Sequence, residues 1–202
     1  MSLWVVEKRP KVAVSEVVAY FLKWVDFIRF AKLVCVVGKT LDKQQFRMLK
    51  ALFLEVGLSV YSNGKVKYIG EVGCDFILVE LMGVRVEMKF VGDAIFSKKL
   101  KTLKKNTTVK LMNTNGTNNY DRLPLEFADF LLVISTTGAL LIDKETVEQY
   151  LKMTGDGITA CFPTKLGQVF LSPKDMCVEY NSSINVMELL MKLIIRVVKM
   201  IS

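Results

Sequence analysis

Asp75, Glu87 and Lys89 are residues whose types and spacing suit chemistry around a hard divalent cation. Two carboxylates offer oxygens of the kind that Mg²⁺ or Mn²⁺ prefers, and the backbone carbonyl of Met88 is a candidate third ligand. A cation held there lowers the pKa of a bound water and offsets charge on a phosphate. The Lys89 ammonium is placed to orient that water or to stabilise negative charge in the transition state. Glu87-Met88-Lys89 is the only Glu-x-Lys or Asp-x-Lys tripeptide in the chain. The same residues also fit a solvated strand face with a cross-strand Asp–Lys pair, worth roughly a few tenths of a kcal/mol.

What separates the two readings is the hairpin that positions them. Asp75 to Glu80 and Val84 to Phe90 read as strands around Leu81-Met82-Gly83. A three-residue loop with Gly83 left-handed pairs Glu80 with Val84, Ile77 with Glu87 and Asp75 with Lys89. Residues two apart share a face, so Asp75, Glu87 and Lys89 then converge. A two-residue turn at Met82-Gly83 puts Asp75 on the opposite face.

Composition narrows the chemistry. The chain has no histidine, which excludes a Ser-His-Asp triad, a Cys-His dyad and any His-ligated metal. Cys35, Cys74, Cys161 and Cys177 form no CxxC, so a zinc ribbon or iron–sulfur site is not expected. Their apolar neighbours suggest free thiols in a reducing, cytoplasmic compartment. The net charge of +8, from 28 Lys+Arg against 20 Asp+Glu, fits a polyanionic partner or a basic surface kept for solubility. The start, Met1 to Lys8, has no long apolar run, so no signal peptide is expected. No 18-residue uncharged stretch exists, and neither a membrane span nor a membrane partner is expected.

Around the hairpin, residues 14–34 read as a helix capped by Ser15, and 42–56 as a second helix with Asp42 as N-cap and Gly57 as its stop. Leu58 to Tyr61 alternates like a strand, Asn63-Gly64 is a hairpin turn signal, and Val66 to Val72 is the return strand. Residues 94–105 read as a short helix with Ile95, Phe96, Leu100 and Leu103 inward and Lys98, Lys99, Lys101, Lys104 and Lys105 outward. Those lysines, with Lys110, either hold phosphates or form an ordinary solvated face. Residues 113–121 are a polar loop. Phe130 to Ile134 is a strand covered on both faces, followed by a strand at Ala139 to Ile142 and a helix from Lys144 to Lys152. Short strands follow near Ile158–Phe162 and Gln168–Leu171, and a nearly all-apolar helix spans roughly 184–200.

The order of helix, strand, Asp75 strand, Glu87-x-Lys89 strand, helix and apolar strand resembles the PD-(D/E)XK nuclease superfamily. The resemblance covers about residues 40–142, and the archaeal Holliday junction resolvases look closest; a nuclease of a crenarchaeal spindle-shaped virus is a further likeness. It implies an α/β, restriction-endonuclease-like mixed β-sheet flanked by helices, within a single domain 1–202. A helical extension at 1–38 and C-terminal strands and helix at 155–202 are added to that core. It implies Mg²⁺ (or Mn²⁺), DNA as partner, a structure-selective endonuclease activity and a homodimer; the apolar helix 186–200, which otherwise plugs the core or, less fittingly, lies on a membrane surface, or helix 14–34 supplies the expected dimer contact. Asp75 and Glu87 become metal ligands with Met88, and Lys89 the catalytic lysine. Cys74 stands where the family often has Pro. The Glu that resolvases carry on the first helix is absent at Gln44, Gln45 and Phe46. Gln45 is the candidate neutral substitute, Glu16 another, and Glu55 sits too near the helix end. That gap leaves a second reading open, a DNA-binding protein whose nuclease fold has lost activity.

Overall fold

The computed structural model describes residues 11–38, 42, 44–46, 51–71, 73–113, 125–155 and 157–176. Helices α1 (Val14–Leu22) and α2 (Val25–Gly38) come first. A π-helical turn, Ala51–Val56, runs directly into α3 (Gly57–Tyr61). Strands β1 (Val66–Glu71), β2 (Cys74–Leu78), β3 (Val84–Phe90) and β4 (Asn106–Asn113) follow. Then come β5 (Phe130–Ser135), β6 (Gly138–Asp143), α4 (Lys144–Glu148), β7 (Leu151–Thr154), β8 (Gly157–Pro163) and β9 (Gln168–Leu171).

The result is a mixed α/β architecture with two sheets. Six strands in the order β1-β2-β3-β5-β6-β9 form the larger, and β4-β8-β7 the smaller. In the larger sheet β3 and β5 run parallel, whereas all other neighbours are antiparallel.

The apolar run of β5 explains how the layers stack. Every residue of β5 is buried. Phe130, Leu132 and Ile134 join a core with α1, α2 and Leu54 and Leu58 of the π turn and α3. Leu131 and Val133 join a second core with Val109 and Leu111 of β4 and Ala160 and Phe162 of β8. Period-two alternation thus feeds opposite layers from one strand. On β3, Val84, Val86 and Met88 enter the first core. The intervening residues Arg85, Glu87 and Lys89 face the side of the smaller sheet.

Several expected elements are redrawn. The helix expected over 14–34 is two, broken at Lys23 and Trp24 with no Gly or Pro to mark it. The break lets both halves bury their apolar faces: Val17, Val18 and Phe21 on α1, Phe27, Ile28 and Ala31 on α2. Those faces are spent on the chain's own core rather than left for a dimer contact. Ser15 does not cap the helix; Ala13 precedes it, and the Glu16 carboxylate accepts the Ala13 N–H at 3.3 Å.

Asp42 does cap its turn, accepting the N–H groups of Gln44 and Gln45, each at 2.9 Å. Gly57 is no stop. Helix continues through it, and a Cβ there would lie 2.9 Å from the Phe27 ring, so glycine admits a close approach. Leu58 to Tyr61 is therefore helical rather than extended. Asn63 and Gly64, both left-handed, close that helix, with the Gly64 N–H on Ser59 O at 2.8 Å.

Residues 94–105 form a hydrogen-bonded loop rather than a helix, with a Phe96–Leu103 bridge. The helix from Lys144 ends at Glu148, because Leu151–Thr154 pairs with β8 instead. Most of the 113–121 loop, the 184–200 helix and Cys177 lie outside the described residues, as does the side chain of Cys35. Among the described residues no helix is long and apolar enough to cross a membrane.

Candidate metal centre

The β2–β3 pairing sets Phe76 opposite Val86, Ile77 opposite Arg85 and Leu78 opposite Val84. One step further places Asp75 directly across from Glu87. The register differs by two residues from the expected one, because the connection is longer, Val79 through Gly83. Met82 (φ 51°) and Gly83 (φ 70°) are both left-handed in it. An even shift preserves the face. Asp75, Glu87 and Lys89 therefore share one face, as the hairpin reading requires, but with Asp75 beside Glu87 rather than Lys89.

Each side chain is held. Asp75 Oδ2 accepts the Met88 N–H at 2.7 Å, taking over from the ladder where its regular pairs end. A strand residue sends its N–H and C=O toward the same edge, so the Met88 carbonyl also leaves β3 on the Asp75 side. The Met88 side chain goes to the first core. Glu87 is only 6% exposed. Its Oε1 is ion-paired with Lys89 Nζ, and its buried Oε2 has no hydrogen-bond partner.

The electrostatics follow from crowding acids in a desolvated place. Burial, then the Glu87 and Glu55 charges, push the Asp75 carboxyl up to about 8, against the opposing pull of the Met88 N–H and Lys89. Burial pulls the Lys89 ammonium down, but Glu87, Asp75 and Glu55 outweigh it and leave its pKa raised. Lys89 is thus the cation set among Glu87, Asp75 and Glu55, with Glu87 its strongest partner.

Glu55 is the residue that sequence reasoning set aside. It sits on the π-helical turn, and its field reaches Asp75, Lys89 and Tyr68. Tyr68 on β1 donates its hydroxyl to Glu55; burial and Glu55 together raise that phenol to about 12. The Tyr68 ring stacks edge-on against Phe76, centroids 6.1 Å apart, which ties the pair to β2. The available signal was a π turn, an insertion that often marks functional sites, but π geometry has no sequence signature to read.

The other candidates fall elsewhere. Gln45 is exposed and its Oε1 accepts the Asp42 N–H at 3.2 Å, so it completes a cap rather than joining the carboxylates. Glu16 is likewise used at the start of α1. Cys74 is fully buried, its thiol raised to about 11 mainly by burial, and Sγ contacts Phe76 O at 3.4 Å, as an inert core thiol would. Lys98, Lys99, Lys101, Lys105 and Lys110 are exposed, and Lys104 lies 3.8 Å from Asp93.

No family model, curated protein or solved structure matches the chain. The site therefore rests on its own geometry. Among the described residues no group of three or more Asp, Glu or Cys side chains is drawn together to hold a metal ion. Two opposed carboxylates and a strand carbonyl remain. The unpartnered Glu87 Oε2 is a buried carboxylate oxygen with unused acceptor capacity.

Proposed function

We propose that the chain is a Mg²⁺-dependent DNA endonuclease of the PD-(D/E)XK type, acting on branched DNA in the manner of a junction resolvase. The observation that carries this reading is the buried Glu87, with one oxygen on Lys89, the other unpartnered, and Asp75 directly opposite. A buried carboxylate without full satisfaction costs free energy, and a divalent cation is the partner that offsets it.

Asp75, Glu87 and the Met88 carbonyl would hold the cation, with Glu55 acting from outside through its field. When bound, the cation supplies an acidified water and neutralises charge on the scissile phosphate. The chain's own residues do the rest. Met88 N–H keeps Asp75 turned toward Glu87. Lys89 has a cationic head within reach of Glu87, placed to hold the attacking water or the developing phosphorane charge. Tyr68 fixes Glu55. The lysines of the 94–105 loop would hold phosphates without reading bases.

The order of β1, β2 with Asp75, β3 with Glu87-x-Lys89 and then β5 supports a restriction-endonuclease-like core. The loop and β4 that replace the expected helix between β3 and β5 are a departure from it. A second reading, a DNA-binding protein that no longer cuts, is favoured because among the described residues no third carboxylate is drawn together with Asp75 and Glu87, Glu55 acting only through its field. Cleavage of supercoiled plasmid and four-way-junction DNA, with Mg²⁺ or with EDTA, separates the two. Wild type is expected to cut only with Mg²⁺, and Lys89→Ala to bind but lose cutting by about 10²-fold or more.

A further inference from the structure

Between β3 and β4 the chain makes a closed loop that the proposed chemistry does not explain. Ile95, with no exposed surface, anchors it in the second core. The Phe96–Leu103 bridge forms its neck, with the Lys104 N–H on Ile95 O and the Ser97 N–H on Thr102 O, each at 2.9 Å. At the tip the Lys101 N–H bonds Ser97 O at 2.8 Å, the Leu100 N–H bonds Ser97 Oγ at 3.3 Å, and Lys101 is left-handed at φ 52°.

These bonds hold out a leucine. Leu100 is 70% exposed and Leu103, at the neck, 49%. Lys98, Lys99 and Lys101 flank Leu100 along the chain and are exposed too. No acid lies within residues 95–105. Ordering a loop costs conformational entropy, and keeping a leucine in water forgoes its burial. A fixed apolar tip flanked along the chain by exposed lysines fits a polyanion that also has an apolar interior.

We propose that this loop is a wedge that opens a base step of DNA. Lys98, Lys99 and Lys101 grip the flanking phosphates, and Leu100 enters between adjacent bases. The inference rests on DNA being the partner, as in the proposed function. Apolar side chains inserted between base steps unstack them and kink the duplex, while lysines supply the sequence-independent attraction. One side chain suffices for a base step. It does not suffice for an anionic membrane, where one leucine is a weak apolar anchor and stable attachment needs more than a single such signal. The cost of insertion is least where stacking is already broken, so the wedge favours junctions and mismatches over continuous duplex.

The test uses the whole chain with Ca²⁺ in place of Mg²⁺ and duplexes carrying 2-aminopurine at successive positions, intact or beside a mismatch. Wild type is expected to raise the fluorescence several-fold at one step. Leu100→Ala, an exposed substitution that leaves the fold intact, should abolish the rise at saturating protein while weakening affinity by about ten- to a hundredfold, the loss of one apolar contact; Leu100→Phe should keep it. Bound wild type that brightens no position, or Leu100→Ala that brightens like wild type, overturns the wedge. Cleavage in Mg²⁺, read in parallel, keeps the two ideas apart: cutting without brightening sinks the wedge alone, and brightening without cutting sinks the nuclease alone. Tight binding to phosphatidylserine vesicles with none to DNA overturns the wedge in favour of a membrane.

Discussion

Glu87 carries the account at the scale of residues, because it is buried, shared with Lys89 and unpartnered at Oε2. Asp75 gives that scale a pH signature. Its carboxyl is raised in the fold to about 8, against an ordinary 3.8. A raised acid favours the folded state while protonated. Its contribution is complete below the ordinary value and is lost as pH rises through about 8. Without divalent cation, resistance to urea should therefore fall between pH 5 and pH 9, and Asp75→Asn, whose amide oxygen still accepts the Met88 N–H, should flatten that fall. An equally pH-insensitive wild type and variant would contradict the burial of this acid. The pair itself was legible in the sequence, since Glu87-x-Lys89 and Asp75 lie on strands of opposite sense around a glycine turn. Which of them stands opposite which was not, because Met82 as well as Gly83 turns left-handed and lengthens the loop.

Among the elements, the π turn and α3 bring in the acid that the sequence did not reveal. A helix stop at Gly57 would put Glu55 at a helix end, away from the carboxylates. In the fold Gly57 is internal, and its missing Cβ makes room for Phe27. A glycine that ends a helix and one that admits a ring look alike in a sequence. Gly57→Val should destabilise the protein by about 1–3 kcal/mol through overpacking, measured by urea unfolding; an unchanged midpoint would show that Phe27 does not need the space. The 94–105 loop hides in the sequence for a related reason. Ile95, Phe96, Leu100 and Leu103 match a helical period, but the first pair anchors a loop while Leu100 and Leu103 stand in solvent. By contrast the unbroken apolar run of β5 admits one reading, a strand between two cores, and the fold has it there.

At the scale of the molecule, the two-sheet architecture sets a carboxylate pair on one face of the larger sheet and sends a lysine-rich loop out from the end of the same strand. The excess of basic residues was visible in composition, yet composition does not say that five of them fall on one short loop held in shape by its own hydrogen bonds. Replacing Lys98, Lys101 and Lys105 together with Ala should weaken binding to all DNA sequences about equally and flatten its salt dependence by up to about one unit of slope per lost phosphate contact. Titrations at several salt concentrations measure this, and an unchanged slope would turn that loop away from DNA. The central claim, however, is that binding and cutting are separable because cutting depends on the buried carboxylate. The direct measurement is Mg²⁺-dependent cleavage of four-way-junction DNA by wild type and by Glu87→Gln, with affinity recorded on the same substrate. The account predicts that wild type cuts and that Glu87→Gln binds as tightly or more tightly, having lost an anion that faces phosphate, but does not cut. Equal cleavage by both proteins, or loss of binding and cleavage in the same proportion, would contradict it.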